Sequence, residues 1–340
     1  MAKKTISDLH IAVVGATGAV GTEFLNILKD HYTGLPQLTL LASARSAGNT
    51  IEVNGEAVVI QEATPESFEG VDIAFISVSS EISLDLAPHA VKAGAIVIDD
   101  SSAFRMDDTV PLVVPEVNGD DCKWHEGIIS IPNCSTTPLV MVLQALRELS
   151  EITRVTASTY QSVSGAGSAA MTALTSESTD LMNDKDVNPD KDQIGFNVIP
   201  RIDEFLDNGY TKEEQKMIDE SKKILHLPNL SVSATCARVP VYISHSEAVH
   251  IEFKNSVNLE DVRNQLNNFA GITVMDDPKK DIYPMPYDIE GKDDVYVGRI
   301  RKDTSVDNGI VLWIVSDNLR KGAALNSLQI AETLVKLDLV

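Results

Sequence analysis

The 340-residue sequence predicts an α/β chain in two parts. The first is a doubly wound parallel sheet over residues 1–133, completed by a C-terminal helix at 320–340. The second is an α+β part over 134–319 with a mostly antiparallel sheet. Three observations predict this. Short apolar runs alternate with stretches of helical periodicity through the first hundred residues, as in parallel strands joined by crossover helices. A glycine-rich turn follows the first of these runs and opens a helix. After about residue 134 the strands lengthen and become mixed in polarity, as strands with one covered face do.

"HIAVVGATGAVGTEFLNILKD" (10–30) supplies the first strand at 11–14, the glycines, and a helical pattern through Phe24, Leu25 and Leu28. "LTLLAS" (38–43), "VDIAFISVS" (71–79) and "AIVIDDS" (95–101) are further buried strands, and "SLDLAPHAVKAG" between the last two reads as a crossover helix. In the second part, "RVTASTYQSVSG", "LSVSATCARVPVYIS" and "EAVHIEFKN" read as long strands. "DVYVGRIRKD" and "GIVLWIVSD" form a hairpin whose turn contains Asp307-Asn308-Gly309. "NDKDVNPDKD" (183–192) is expected to be an exposed loop and 276–294 irregular. A final helix is expected over roughly residues 323–337.

Composition excludes several function classes. Lys and Arg total 28 against 50 Asp and Glu, a formal charge of −22, so nucleic acid and anionic membranes are poor partners. No apolar run approaches the roughly 18 residues that span a bilayer. "MAKKTISDLH" lacks the apolar core of a secretory signal, which makes the cytoplasm the expected location. Three cysteines, Cys122, Cys134 and Cys236, are far apart with no CxxC pair, suggesting neither a disulfide framework nor a metal site.

Gly15, Gly18 and Gly21 make a G-x-x-G-x-x-G turn in the strand–turn–helix context that a dinucleotide pyrophosphate needs, with backbone N–H groups and a helix N-terminus facing the anion. This makes the first part a Rossmann-type domain. A tight turn that only packs helix on strand would look the same in isolation. At the end of the second strand, where an NAD enzyme often carries Asp or Glu, the chain has Ser43, Arg45 and Ser46 and no acid. A cation and hydroxyls suit a 2′-phosphate and favour NADP, unless Arg45 is only a solvated loop residue.

Cys134 precedes an apolar helix marked by Val140, Leu143, Leu146 and Leu149, with Thr137 as its expected cap and Pro138 in its first turn. Free N–H groups and the helix dipole there favour thiolate over thiol. Taken singly, such a residue is as well read as a small buried hydrophobe. A thiol, a nucleotide fold and a helix N-terminus together suggest aldehyde chemistry through a thioester. That scheme needs a proton acceptor. His245, at a strand–turn–strand junction, is a candidate, although a histidine there is more often structural. Cys236 shares one strand face with Val232 and Ala234 and reads as structural.

"VVGATGAVG", "LASARSAG", "DDSSAFR", "PNCSTTPL", "STYQSVSGAG" and "RVPV…HSEA", in this order, resemble the bacterial aspartate-semialdehyde dehydrogenase family over nearly the whole chain. The resemblance implies a glyceraldehyde-3-phosphate dehydrogenase-like architecture and a homodimer formed through the second domains. It implies the NADP-dependent, reversible conversion of 4-phospho-L-aspartate to L-aspartate 4-semialdehyde and phosphate through a cysteine thioester. In the cell that reaction feeds lysine, diaminopimelate, threonine and methionine synthesis. Residue by residue, Cys134 matches the nucleophile, His245 the acid–base residue, Gln161 the glutamine that orients substrate, and Arg238 the arginine on its carboxylate. Arg105 and Lys216 match phosphate-binding cations and Glu213 an acid near the substrate amine, with neighbouring acids and lysines in 213–223 as alternatives. For the cofactor the resemblance implies Gly15, Thr17, Gly18, Ala19, Val20, Arg45, Ser46, Ser164, Gly165 and, near the nicotinamide, Asn318.

Two rivals remain. An N-acetyl-glutamyl-phosphate reductase would not need an acid for a free amine and fits "PNCSTTPL" less well. A regulatory protein that kept the fold without catalysis would have no reason to retain Cys134, Gln161, Arg238 and His245 together.

Overall fold

The computed structural model describes residues 4–185 and 192–340. Most of the loop expected at 183–192 therefore lies outside the described residues. The chain divides into one unit of 1–133 with 323–340, and a second of 134–322.

The first unit begins with β1 (His10–Val14), α1 (Ala19–His31) and β2 (Gln37–Ala42), followed by β3 (Thr50–Val53) and β4 (Glu56–Glu62). After these come β5 (Ile73–Ile76), α2 (Ser80–Lys92), β6 (Ile96–Asp99), the one-turn α3 (Pro115–Asn118) and β7 (Ile128–Ser130). The sheet order is β3-β4-β2-β1-β5-β6-β7, parallel throughout except for the β3–β4 pair. β1 is central and covered on both faces, which is why it reads as an unbroken apolar run. Ile11 and Val13 join one core with Phe24, Leu28 and Phe75, whereas Ala12 and Val14 join another with Leu86 and Ala90 of α2. Phe24 stacks on Phe75 with ring centroids 4.5 Å apart. Each such buried side chain contributes about 1.5–3 kcal/mol.

The β3–β4 hairpin is an element that the apolar pattern misses. It lies at the sheet edge, and β4 buries only Ile60. Its legible signal is the turn Asn54-Gly55, both residues at positive φ (52° and 84°), as a type I′ hairpin requires.

The second unit opens with α4 (Thr136–Leu146), β8 (Ile152–Gln161), α5 (Ser168–Met182), α6 (Lys212–Ile224) and β9 (Ser231–Arg238). It continues with β10 (His245–Phe253), α7 (Leu259–Asn268), β11 (Ile272–Val274), the short α8 (Pro286–Ile289), β12 (Val295–Lys302) and β13 (Gly309–Ser316). The order is β11-β12-β13-β10-β8-β9. The sheet is mixed: β10 pairs antiparallel with β8 and β13, and β12 with β13, while β8–β9 and β11–β12 run parallel. Alternation along β10 buries His245, Glu247, Val249, Ile251 and Phe253 on one face and leaves His250 exposed on the other. A capping box starts α6: Glu214 N–H donates to Thr211 Oγ1 (3.3 Å), and Thr211 N–H to Glu214 Oε2 (2.7 Å). Met217, Ile218 and Ile224 bury one face of α6, which is thus not a solvated helix.

The chain leaves the second unit through a π-helical turn, Arg320–Ala324, and returns to the first as α9 (Leu325–Lys336). The return begins at 323 rather than 320, because residues 320–322 stay with the second unit. Leu325, Leu328 and Ile330 enter the core that holds Phe24. Among the described residues, no helix is long and apolar enough to cross a membrane.

Candidate active site

Strand ends build the site in the second unit. Gln161 and Arg238, the last residues of β8 and β9, are register partners, and so are His245 and Ser316. The neighbouring Ser246–Tyr160 pair brings the start of β10 abreast of the end of β8. Residues as far apart in sequence as Gln161 and Ser316 thus lie along one row across the sheet.

Cys134 sits just before α4, whose N-cap is Ser135. Thr137 is therefore not the cap expected from the sequence: the helix starts two residues earlier, placing Thr137 and Pro138 inside its first turn. Cys134 Sγ lies 3.2 Å from His245 Nε2. Gly322, in the π-helical turn, backs the nucleophile: a Cβ there would stand 3.0 Å from Cys134 Cβ. Such turns recur at functional positions, and sequence periodicity alone does not reveal this one.

His245 is 1% exposed. Burial first, and the Arg238 guanidinium second, push its imidazole down to about 3. Its Nδ1 accepts from the Ser162 backbone N–H at 3.0 Å and lies 3.0 Å from Ser162 Oγ. Asn318 Oδ1 accepts from Ser162 Oγ (3.1 Å), Ser164 Oγ (3.1 Å) and the Ser244 N–H (2.9 Å), and Asn318 Nδ2 donates to Ser164 Oγ (2.9 Å). Ser244 is held at φ +72°, a left-handed conformation uncommon outside glycine. Neither Ser162 nor Ser244 carries a motif of its own in the sequence. The run of hydroxyls in "QSVSG" beside Gln161 was the available signal.

Gln161 is buried: its Nε2 donates to Glu213 Oε1 (3.0 Å) and its Oε1 accepts from Thr159 Oγ1 (3.0 Å). Lys216 Nζ bridges Glu213 Oε2 (3.1 Å) and Asp203 Oδ2 (2.9 Å). Of the acids near 213, Glu214 is committed to the cap and to the Cys236 N–H (3.0 Å), so Glu213 and Lys216 are the pair joined to Gln161. Arg238 Nη1 donates to the Ser162 carbonyl at 2.7 Å. Gly165 leaves open space here, since a Cβ would fall 3.2 Å from Arg238 Nη1 and 3.3 Å from His245 Nε2.

The remaining predicted residues lie in the first unit. Gly15 takes φ +87°, and a Cβ there would meet the Ser77 carbonyl oxygen at 2.2 Å; one at Gly21 would meet the Gly15 oxygen at 2.3 Å. Gly18 caps α1 through its backbone, and no side chain or first-turn acid competes for the free N–H groups above Ala19 and Val20. Thr17 and Gly18 are exposed, as is Arg45 in the loop after β2, with Ser46 half-buried beside it. This arrangement fits a dinucleotide. Arg105, after β6, is buried and donates to the Asp100 carbonyl at 2.8 Å. Burial raises the Asp100 carboxyl to about 6 against the pull of Arg105.

Comparison with known proteins bears on this geometry. Residues 10–125 match the model of a semialdehyde dehydrogenase NAD-binding domain, and 143–321 that of a semialdehyde dehydrogenase dimerisation domain. The chain is 53% identical to the aspartate-semialdehyde dehydrogenase of Bacillus subtilis, over 98% of this chain and 99% of that protein. It is 45% identical to the Aquifex aeolicus protein of the same name, over 97% and 99%. The chain belongs to the aspartate-semialdehyde dehydrogenase family. The crystal structure of aspartate semialdehyde dehydrogenase II from Vibrio cholerae, complexed with ASA, superposes with a TM-score of 0.92 at 43% identity, over 97% of this chain and 98% of that one. The Candida albicans enzyme with NADP superposes at 0.77, with 28% identity over 98% and 100%.

As an aspartate-semialdehyde dehydrogenase, the chain is an oxidoreductase that catalyses the reversible reductive dephosphorylation of aspartyl phosphate in amino-acid biosynthesis. The rival readings are thereby set aside.

One buried group near the site carries a stability prediction. Glu247 follows His245 by two residues on the same strand face, abreast of Thr159 and Ile314, with neither carboxyl oxygen hydrogen-bonded. Burial pushes its carboxyl well above the ordinary range. As pH rises past about 4.5 the unfolded chain releases this proton while the folded protein keeps it, so stability falls by roughly 1.4 kcal/mol per pH unit until the folded group also ionises. Glu247→Gln removes that slope. Denaturant unfolding of both proteins from pH 5 to 8 is expected to show the variant's relative stability growing with pH. A constant difference would mean that Glu247 is already ionised in the folded protein.

Proposed function

We propose that this dehydrogenase reduces 4-phospho-L-aspartate with NADPH through a thioester on Cys134, and that phosphate is the group released and taken up again in the reverse reaction. The observation that carries this reading is the 3.2 Å contact between Cys134 Sγ and His245 Nε2 at the head of α4. Arg238 holds the substrate carboxylate, for which its planar fork is suited. Gln161, anchored by Thr159 and Glu213, orients the reacting carbonyl, and Glu213 meets the substrate amine. Lys216 and Arg105 receive the phosphate, a local exception to the chain's acidity. His245 stabilises the oxygen that develops charge beside the sulfur. When bound, the nicotinamide supplies the hydride. Gly15 and the backbone N–H groups from Thr17 to Val20 hold its pyrophosphate, and Ser164, Gly165 and Asn318 border its ring. One assay decides the substrate: aspartate semialdehyde, N-acetylglutamate semialdehyde and glyceraldehyde 3-phosphate, each followed by NADPH absorbance. Selective turnover of the first is expected, and preference for either other aldehyde overturns the reading.

NADP rather than NAD follows from Arg45 and Ser46 and from the missing acid after β2. Arg45→Glu is expected to raise the Michaelis constant for NADP+ far more than that for NAD+, since one charge-assisted contact to phosphate contributes about 1.5–3 kcal/mol. Unchanged NADP+ preference would make Arg45 a bystander.

The assembly is a homodimer built on the outer face of the six-stranded sheet, where Tyr160 and Trp313 pack ring against ring (5.4 Å) and Tyr160 is 40% exposed. The matching of 143–321 to a dimerisation domain supports this. The enzyme works in the cytoplasm, in keeping with its free thiols.

A further inference from the structure

We propose that Asp203, which belongs to none of the motifs in the sequence, is the positioning residue that makes the pocket selective for a free α-amine. By taking up the charge of Lys216 it leaves Glu213 negative toward a substrate ammonium. The inference rests on the reading of Glu213 as the contact for the amine and of Lys216 as a contact for phosphate.

Two carboxylates divide one ammonium here. Glu213 and Lys216 stand three residues apart on α6 and alone would form a neutral pair. Lys216 Nζ lies 3.1 Å from Glu213 Oε2 and 2.9 Å from Asp203 Oδ2. Burial opposes the charge on Lys216, but Glu213 and Asp203 prevail and raise it above the ordinary lysine range. Burial also opposes the charge on Asp203, and the hydrogen bonds from Lys216 and the Glu204 N–H outweigh it, holding the carboxyl below its usual range. Glu213 accepts from Lys216 and from Gln161, as a carboxylate does. Two negative groups against one positive leave the trio with a net negative charge. Neighbouring charges are otherwise engaged: Lys212 pairs with Glu204 (2.6 Å), and Glu214 serves the cap and the Cys236 N–H.

Asp203 is fixed where it stands. Its irregular segment is pinned at both ends, by Ile199, which exchanges backbone hydrogen bonds with Arg238 (2.9 and 3.0 Å), and by the bridge between Phe205 and Thr211, the cap of α6. Between these ties Asp203 takes φ +69°, uncommon outside glycine, and its Oδ1 accepts from the Glu204 N–H at 2.9 Å, which leaves Oδ2 for Lys216.

Charge complementarity then names the substrate class. Gln161 links the trio to the other charged wall, since its Nε2 donates to Glu213 and it is the register partner of Arg238. The pocket therefore presents a positive charge at Arg238 and a net negative charge at the trio, the pattern that an α-amino acid zwitterion complements. Without the Asp203 carboxylate, Glu213 and Lys216 would neutralise each other, and the pocket would suit a carboxylate that carries no amine charge, such as an N-acylated semialdehyde. The same carboxylate opposes the phosphate dianion, which must share Lys216 with it. Asp203 thus exchanges phosphate affinity for amine selectivity.

The test is steady-state kinetics of Asp203→Asn, which keeps the shape and an oxygen for Lys216 but removes the charge. The substrates are L-aspartate 4-semialdehyde, its N-acetyl derivative and inorganic phosphate, with NADP+. KM for the free-amine aldehyde is expected to rise and KM for phosphate to fall, each about three- to thirtyfold, as for one charge acting through partly hydrated protein. The preference in kcat/KM for the free amine over the N-acetyl derivative is expected to shrink by a similar factor. Asp203→Ser is expected to move both constants in the same directions as Asp203→Asn. A merely structural residue would weaken both ligands, so KM values that rise together, either KM unchanged, or a constant preference for the free amine would overturn the proposal. Glu213→Gln with an unchanged KM for the aldehyde, or Lys216→Met with an unchanged KM for phosphate, would instead remove the reading beneath it, whatever the Asp203 variants do.

Discussion

Wild-type enzyme given NADP+ and aspartate semialdehyde without phosphate is expected to release about one equivalent of NADPH per site and then stall, resuming when phosphate is added. The burst follows from the order of steps in the proposed mechanism, in which hydride would leave the thiohemiacetal before any acceptor is needed and only phosphate would discharge the acyl group. Cys134→Ser is expected to lose both phases, with kcat lowered roughly 10⁴–10⁶-fold, the range for removing a covalent nucleophile. A serine hydroxyl is far less acidic than a thiol, and the Arg238 charge that acts on the sulfur cannot ionise it at neutral pH. Alkylation discriminates among the three thiols. Cys134 is partly exposed, whereas Cys122 and Cys236 are fully buried. Burial pushes the Cys122 thiol up to about 12 and raises Cys236 as well. An alkylating agent is therefore expected to consume Cys134 first, and bound substrate to protect it. Normal turnover by the serine variant would sink the thioester mechanism.

His245→Ala is expected to lower kcat roughly 10²–10⁴-fold, the range for a positioned acid–base or donor group. The pH dependence carries the sharper information. With its imidazole near 3, His245 stays neutral at every pH where the enzyme is assayed, so the wild-type kcat/KM profile is expected to show no limb from this residue between pH 5.5 and 8.5. The same shift affects stability. As pH falls through about 6.5 the unfolded ring gains a proton that the folded ring refuses, so the folded state loses stability by roughly 1.4 kcal/mol per pH unit down to about pH 3. His245→Ala removes this term. Its stability relative to wild type is expected to improve on acidification even as its activity is poor. A variant with wild-type kcat, or a wild-type profile rising through pH 6.5 that disappears in the variant, would contradict one half or the other of this account.

Local pattern made a large part of the molecule readable. The apolar runs at β1, β2, β5 and β6 are continuous because helices cover both faces of the parallel sheet, and this burial leaves a contiguous trace in the chain. Gly21 is required by close approach to the Gly15 oxygen within its own strand–turn–helix unit, and Gly15 by its positive φ and by the Ser77 carbonyl just after the neighbouring β5. The head of α4 was legible for the same reason, although its cap proved to be Ser135. Where burial is slight the trace fades: β3 and β4 at the edge bury little, and only their Asn-Gly turn marks them.

By itself, then, the sequence determined the buried strands and the helices between them, the glycine turn, the lone helix-head cysteine and, through six ordered motifs, the family. Tertiary structure alone decided which side chains meet. Cys134 and His245 are 111 residues apart, and the parallel β8–β9 register that puts Gln161 beside Arg238 has no local signature. The Ser162 amide on His245 Nδ1, the Asn318 clamp, the Gly322 contact with Cys134 and the unpaired Glu247 were likewise invisible beforehand. Periodicity records how each residue faces water or core along its own element. Register and the ends of strands fix distances between elements, and hydrogen-bond direction, tautomer and charge state depend on those distances.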